Sequence, residues 1–193
     1  MIKYQCIWGD YMLKMKDILD EKDKRLRLVS EEVTFPLTDK DKKAIHDMIE
    51  YLHDSQIEEL AEERNLRPGM GMAAIQLGIK KRYFVVVYEV TEEDDEEQKF
   101  ETYILVNPKI ISHSEELIAA DAGEGCLSVN RETEGYVKRY ARVKIEGYDL
   151  DGNKQIIRAR EELAIAFQHE MDHLDGILFT DKITYNIDDI RTI

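Results

Sequence analysis

Apolar positions along the chain fall into two periods. Ile45, Met48, Ile49 and Leu52 sit at the i, i+3, i+4, i+7 spacing of one buried helical face, so a helix is expected over about residues 39–64. Thr38 can cap its start, with Asp39 and Asp41 in the favourable first turn, and Pro68-Gly69 reads as the turn that ends the region. The stretch before Thr38 is mixed and predicts no element. Segments rich in β-branched and aromatic residues follow at 82–90 and 101–106, with further strands expected at 109–118, 141–150 and 154–160. The acidic run at 92–97 reads as a solvated hairpin loop. Within 141–150, Val143 and Ile145 alternate, while Tyr148 and Leu150 fall on the other parity, so Gly147 is expected to mark a bulge. Asp151-Gly152 suits a hairpin turn. A second helix is expected over 161–174, with Glu161 and Glu162 in its first turn and Gly176 at its stop.

Strands in the middle with helices towards both ends predict an α+β fold. Mostly antiparallel sheets would pack around a C-terminal helix, with a long N-terminal helix beside them. No repeat or flexible linker divides the chain, so residues 1–193 are expected to form a single domain.

Charge narrows the partners. With 27 basic and 41 acidic residues the formal net charge is −14. Nucleic-acid binding needs a basic face, and the densest basic stretch, 138–142, has only Lys138, Arg139 and Arg142, so a direct nucleic-acid ligand is not expected. Anionic membrane surfaces are disfavoured for the same reason, and no apolar run approaches the roughly 18–20 residues of a spanning helix. Residues 1–6 lack the apolar segment of a secretory signal. Two cysteines, Cys6 and Cys126, make no disulfide framework, so a reduced, cytoplasmic protein is expected, with Cys6 incidental.

Candidate chemistry concentrates in three places. The second helix carries His169-Glu170-Met171-Asp172-His173, an H-E-x-x-H motif. Residues four apart share a helix face, so His169 and His173 can grip one metal ion. Glu170 is rotated ~100° from His169, which puts it beside the metal as a general base and not among the ligands. Without the metal reading, the same residues would be two incidental histidines on a surface helix. A catalytic metal wants a third protein ligand. No His follows His173, and Asp175, Asp181, Asp188 and Asp189 stand in no recognised spacing. Cys126, upstream in Glu124-Gly125-Cys126-Leu127-Ser128, is the better candidate, since a thiolate binds zinc or ferrous iron well. A lone Cys is, however, more often a small buried apolar residue. The third place is Gly69-Met70-Gly71-Met72-Ala73-Ala74-Ile75-Gln76. It lacks the Lys-Ser/Thr of a phosphate loop, and by itself reads as a tight turn into a packed helix.

Together, Gly69–Gln76, Glu124–Ser128 and the segment around His169–His173 resemble, in order, the three signature motifs of peptide deformylases. The resemblance covers about residues 17–183. The acidic hairpin and the segment 106–114 are similar to the longer, Gram-positive-like members. The resemblance implies a hydrolase that removes the formyl group from the N-terminal methionine of nascent polypeptides and releases formate. It implies Cys126, His169 and His173 as ligands of one divalent metal, ferrous iron in the cell, with zinc or nickel found in its place. It implies Glu170 as general base, with the Gln76 amide and the Leu127 N–H stabilising the oxyanion. The peptide would lie extended near Met70, Gly71 and Gly125, with Met70, Leu127, Ile165 and Ala166 as candidates for the methionine pocket. Arg139 and Asp172 are candidates for a supporting ion pair; His46, His53 and His113 have no spacing with the metal set.

Two departures stand out. Ile75 occupies a position where many members carry Pro, which bears on loop stiffness. The tail after Ile183 holds Asp188 and Asp189 against a single Arg191, so it cannot supply the basic helix by which some members dock on ribosomes. A monomer that reaches emerging chains by free diffusion is therefore expected. Two competing readings remain: a zinc peptidase using the same H-E-x-x-H helix, and a non-catalytic protein with a structural metal.

Overall fold

A computed structural model describes residues 12–92, 95, 98–188 and 190–193. The expected roles of Cys6 and Asp189, and most of the acidic loop (Glu93, Asp94, Glu96 and Glu97), lie outside the described residues.

The first long helix, α1, spans Asp39–Ser55. It starts in a capping box: Thr38 Oγ1 accepts from the Asp41 N–H, and the Asp41 carboxylate accepts from Thr38 in return. The same carboxylate takes both oxygens' worth of contact from Lys81 Nζ, at 2.7 Å each. The single helix expected over 39–64 is in fact two. The amide of Gln56 donates to the carbonyls of Leu52 and Val87, and Ile57 turns extended, so the chain bends before α2 at Glu58–Arg64. A helix that continued straight could not make the Val87 contact. Asn65, in the left-handed region at φ 52°, ends α2.

The strands are β1 (Gly71–Ala73), β2 (Tyr83–Glu89), β3 (Phe100–His113), β4 (Leu117–Ala119), β5 (Arg139–Tyr140), β6 (Arg142–Tyr148), β7 (Lys154–Arg160) and β8 (Arg191–Thr192). The second long helix, α3, is Glu161–Leu174. The main sheet has the order β1-β2-β3-β6-β7 and is antiparallel throughout. A small sheet, β5-β4-β8, contains the one parallel pairing between these strands, β4 with β8. The fold is thus α+β, as expected.

Helices cover both faces of the main sheet. Ile45, Met48 and Leu52 of α1 pack with Tyr83, Val85 and Val87 on one face. Ala164, Phe167, Met171 and Leu174 of α3 pack with Phe84, Val86, Leu105 and Ile145 on the other. β2 is therefore buried on both sides, which is why it reads as a continuous apolar run and not as an alternation.

One strand expectation changes. The segments 101–106 and 109–118 form one 14-residue strand, β3, followed by the short β4. Two irregularities sit inside β3, between Ile110 and Ser112 and between Val106 and Lys109; at the latter Asn107 adopts φ 51° and Pro108 has no N–H to offer the ladder. Gly147 does mark a bulge, on the β3 side: Val106 pairs with Tyr148 and Lys109 with Glu146, so the register shifts across Gly147, while its pairing with Gln155 on β7 is unbroken. It is glycine because a Cβ there would come 2.7 Å from Leu105 Cδ2. Tyr148 is on the other parity because that face is also buried, against Phe35 at a ring separation of 5.5 Å.

The segment before α1 has only two short 3-10 turns, Met15–Asp17 and Lys24–Arg27, yet it is tied closely to the rest. Leu19 N–H donates to the Gln76 carbonyl, Glu21 N–H to Ser128, and Ser30 N–H to Leu174. Each of the three motif segments thus receives a backbone bond from one strap.

Burial opposes ionisation of Asp41, but Lys81 and Thr38 outweigh it and hold the carboxyl below the usual aspartate range. A depressed folded value adds stability above the unfolded pKa of about 3.9 and loses it as pH falls through the folded value. Asp41→Asn should therefore cost about 1–2 kcal/mol in urea unfolding at pH 7. The gap to wild type should close on acidification; a gap independent of pH would show that the charge contributes nothing.

Candidate metal centre and active site

Helix α3 places His169 and His173 one turn apart on the face it buries, with ring centroids 5.0 Å apart. The loop between β4 and β5 brings Cys126 against them: its Sγ lies 3.2 Å from His173 Nε2. The Cys126, His169 and His173 donor atoms all lie within 4.8 Å of one another, close enough for one ion to touch all three with little movement. One soft sulfur and two imidazoles are a donor set that zinc and ferrous iron both accept.

The surroundings orient these donors. His169 Nδ1 contacts Glu124 Oε2 at 2.8 Å, which leaves Nε2 for the cluster. Glu124 is gripped by both sides of the Arg139 guanidinium, at 2.7 and 2.9 Å, and the third nitrogen of Arg139 reaches Asp172 at 2.5 Å. Lys182 closes the chain of charges on Asp172 at 2.6 Å. The expected Arg139–Asp172 pair is present; Glu124, which links it to His169, was missed. Glu124 sits only two residues before Cys126, but its partners lie far along the chain, so no spacing could announce it.

Burial and neighbouring charges shift the ionisation of the groups around the cluster. Burial would raise the Glu124 carboxyl, but Arg139 and His169 bring it down to about 2. Burial also opposes charge on His169, yet its contacts with Cys126 and Glu124 hold it well above the usual imidazole range. Burial, joined by the charge on His169, holds His173 well below that range. Burial pushes Glu170 up to about 7, and a cation in the cluster would pull it back down. Glu170 Oε2 and His173 Nδ1 are buried with no partner among the described residues.

A cavity of about 520 Å³ opens onto this cluster. Met70, Gly71, Gln76, Gly125, Cys126, Leu127, Ile165, Ala166, His169 and Glu170 line it, so every expected site residue except the more deeply placed His173 faces one space. Arg67 and Glu162 also line it and were not foreseen. Gln76 is held at both ends: Oε1 accepts from the Ala73 N–H at 2.8 Å, and Nε2 donates to Ser128 Oγ at 3.1 Å and lies 3.7 Å from Cys126 Sγ. His53 and His113 are engaged elsewhere, with Asp54 and the Ser114 carbonyl.

The model of the polypeptide deformylase family matches residues 15–187. The chain belongs to that family. It is 46% identical over 172 residues to the peptide deformylase of Ligilactobacillus salivarius, covering 89% of this chain and 91% of that one. Against the Listeria welshimeri peptide deformylase the identity is 48% over the same coverage. Among solved structures, peptide deformylase from Ehrlichia chaffeensis superposes with a TM-score of 0.69 at 35% identity, over 86% of this chain and 87% of that one. The Thermotoga maritima deformylase gives 0.69 at 28% identity, over 91% and 99%. The Ehrlichia deformylase has also been solved in complex with actinonin. As a family member the chain is a metal-dependent hydrolase that removes the N-formyl group from nascent peptides. Membership favours this activity over the peptidase and structural-metal readings. No helix among the described residues is long and apolar enough to cross a membrane.

Two substitutions test the geometry. Glu124→Gln should weaken metal binding roughly 10–100-fold in a chelator competition, because His169 loses its orienting charge; unchanged affinity would remove Glu124 from the account. At Gly71, a Cβ would come 2.8 Å from Glu170 Cδ. Gly71→Ala should therefore fold and bind metal normally yet lose most formate release, as the carboxylate is pushed aside.

Proposed function

We propose that Cys126, His169 and His173 hold a single divalent ion, ferrous iron in the cell and zinc or nickel in its place in purified protein. The observation that carries the reading is a buried, unpartnered carboxylate, Glu170, beside a Cys-His-His cluster at the end of a cavity. When bound, the metal supplies a Lewis acid and an acidified water at neutral pH.

The chain's own residues do the rest. Glu170 accepts the proton of the attacking water through its free Oε2. Oxygen then bonds to the formyl carbon, and the carbonyl oxygen gains negative charge. The Gln76 amide, with one N–H committed to Ser128, swings its second from its long 3.7 Å contact with Cys126 Sγ towards that oxygen. The Leu127 N–H has no partner among the described residues and is the second donor. Neutral donors placed where charge develops contribute ~3–4 kcal/mol each. Glu170 returns its proton to the nitrogen as the C–N bond breaks, leaving formate and a free amine.

Peptide placement follows from the sheet. β1 pairs with β2 on one side only and leaves its other edge beside the cavity. An extended substrate can add there through Met70, Gly71 and Gly125, read mainly by main chain, which tolerates varied downstream residues. Met70, Leu127, Ile165 and Ala166 offer the apolar wall for the methionine side chain. We assign these roles to one catalytic domain over 1–193, acting as a cytoplasmic monomer.

Formate release from formyl-Met-Ala, measured with anaerobically prepared iron protein beside its zinc form, tests the reading. Glu170→Ala should keep the metal and lose about 10²–10⁴-fold in rate. Cys126→Ala should purify without metal. Wild-type turnover by Glu170→Ala, or by a metal-stripped protein, would overturn the assignment.

A further inference from the structure

The β6–β7 hairpin carries a charge arrangement that the stability of the fold does not explain. Its register sets Arg142 opposite Arg160 and Lys144 opposite Arg158. Val143, Ile145 and Ala159 point to the α3 side and are packed there. The four cations therefore project from the opposite face. Helix α1 lies on β1, β2 and β3, so the back of β6–β7 faces solvent, with Arg142, Arg158 and Arg160 exposed and Lys144 half-buried.

Like charges directly opposite one another weaken a strand ladder. Nearby acids do little to offset this. Arg142 meets Glu116 at 2.7 Å, but Glu116 is shared with Arg191 at 3.2 Å. Lys144, Arg158 and Arg160 have no ion-pair partner among the described residues. In a chain with 41 acidic and 27 basic residues, partners are plentiful, so three free cations in one patch are unexpected. The patch is concave as well: residues 112–116, 142–144 and 158–160 line a shallow cleft of about 830 Å³, in which the carboxylates of Glu115 and Glu116 stand against four cations.

We propose that this strip docks the phosphodiester backbone of RNA. Strand geometry spaces the cations ~5 Å across the pair and ~7 Å along it, a ladder that can meet successive phosphates. Guanidinium forks match phosphate oxygens, and serine hydroxyls commonly join such contacts. A protein partner would need apolar anchors, and Ile156, 50% exposed, is the one large exposed apolar side chain on the hairpin. The strip lies across the sheet from α3, so bound RNA leaves the peptide cavity open. Naming RNA as the polyanion rests on the deformylase reading, because nascent chains emerge where RNA is the dominant charged surface. The proposal departs from the expectation drawn from composition and from free diffusion. Arg-x-Lys on one strand and Arg-x-Arg on the other are sparse along the chain, and only the register gathers them.

Fluorescence anisotropy with a labelled 16-base-pair RNA duplex tests the proposal. Wild type should bind weakly, with log K falling against log salt at a slope near −2 to −3, as about three neutralised phosphates require. Arg158→Glu turns the pair with Lys144 into opposite charges, so it should melt no lower than wild type. It should nevertheless bind RNA roughly tenfold more weakly and reduce the salt slope by one to two. Formate release from formyl-Met-Ala should be unchanged, so RNA docking and deformylation can fail separately. Equal RNA binding by wild type and Arg158→Glu would overturn the proposal. So would a wild-type dimer that Arg158→Glu dissociates in sedimentation, since the strip would then cover a second copy of the chain.

Discussion

The site depends on balancing charge where water cannot help. Glu124, Asp172, Glu170 and the thiol of Cys126 converge on the middle of α3, and Arg139, 2% exposed, is the cation set deepest among them. Its three nitrogens fix Glu124 and Asp172, and through Glu124 they fix His169. Removing one member of such a buried set costs ~3–5 kcal/mol, because the others are left uncompensated. The same interaction joins β5, the Cys126 loop and α3, so the fold and the ligand geometry share one support. Lys182 joins Arg139 on Asp172, so two cations brace the pair of carboxylates behind the Cys-His-His cluster.

The sheet supplies the second constraint. Because α1 and α3 cover its two faces, the centre of the molecule is apolar and dry, and α3 can bury His169, Glu170 and His173 along with its packing residues. The covering helices stop short at two places. One is the edge of β1 beside the cavity, where a peptide backbone can pair. The other is the back of β6–β7, where the cations gather. Both openings are exposed backbone or charge on an otherwise closed frame.

Much of this was legible in the chain. The 3.6-residue period found α1 and α3, and the H-E-x-x-H spacing placed two histidines and a carboxylate together, because those relations are local to one helix. Cys126 and Gln76 became legible through their motif context. Glu124 was not, since its meaning comes from Arg139 and His169, which only tertiary folding brings near. The break after α1 was hidden because Gln56 is a good helix former, and the bond that bends the chain is to Val87 on another element. Gly147 was legible as the site of an irregularity, but the extra residue lies in β3, opposite it, which only the pairing reveals. The cationic strip is the clearest case, since strand register, and not sequence proximity, sets which charges are neighbours.

The strap formed by residues 19–31 has one more consequence. Its backbone bonds to Gln76, Ser128 and Leu174 mean that the amide donor, the cysteine loop and the end of the histidine helix share a common tether. Their mutual alignment is a collective property and not the sum of three local folds. A single proteolytic nick in this irregular, largely exposed segment would slacken all three walls at once and leave every catalytic side chain chemically intact. Such damage would inactivate the molecule by misalignment, and binding of an extended ligand across the walls would protect the strap from the cut.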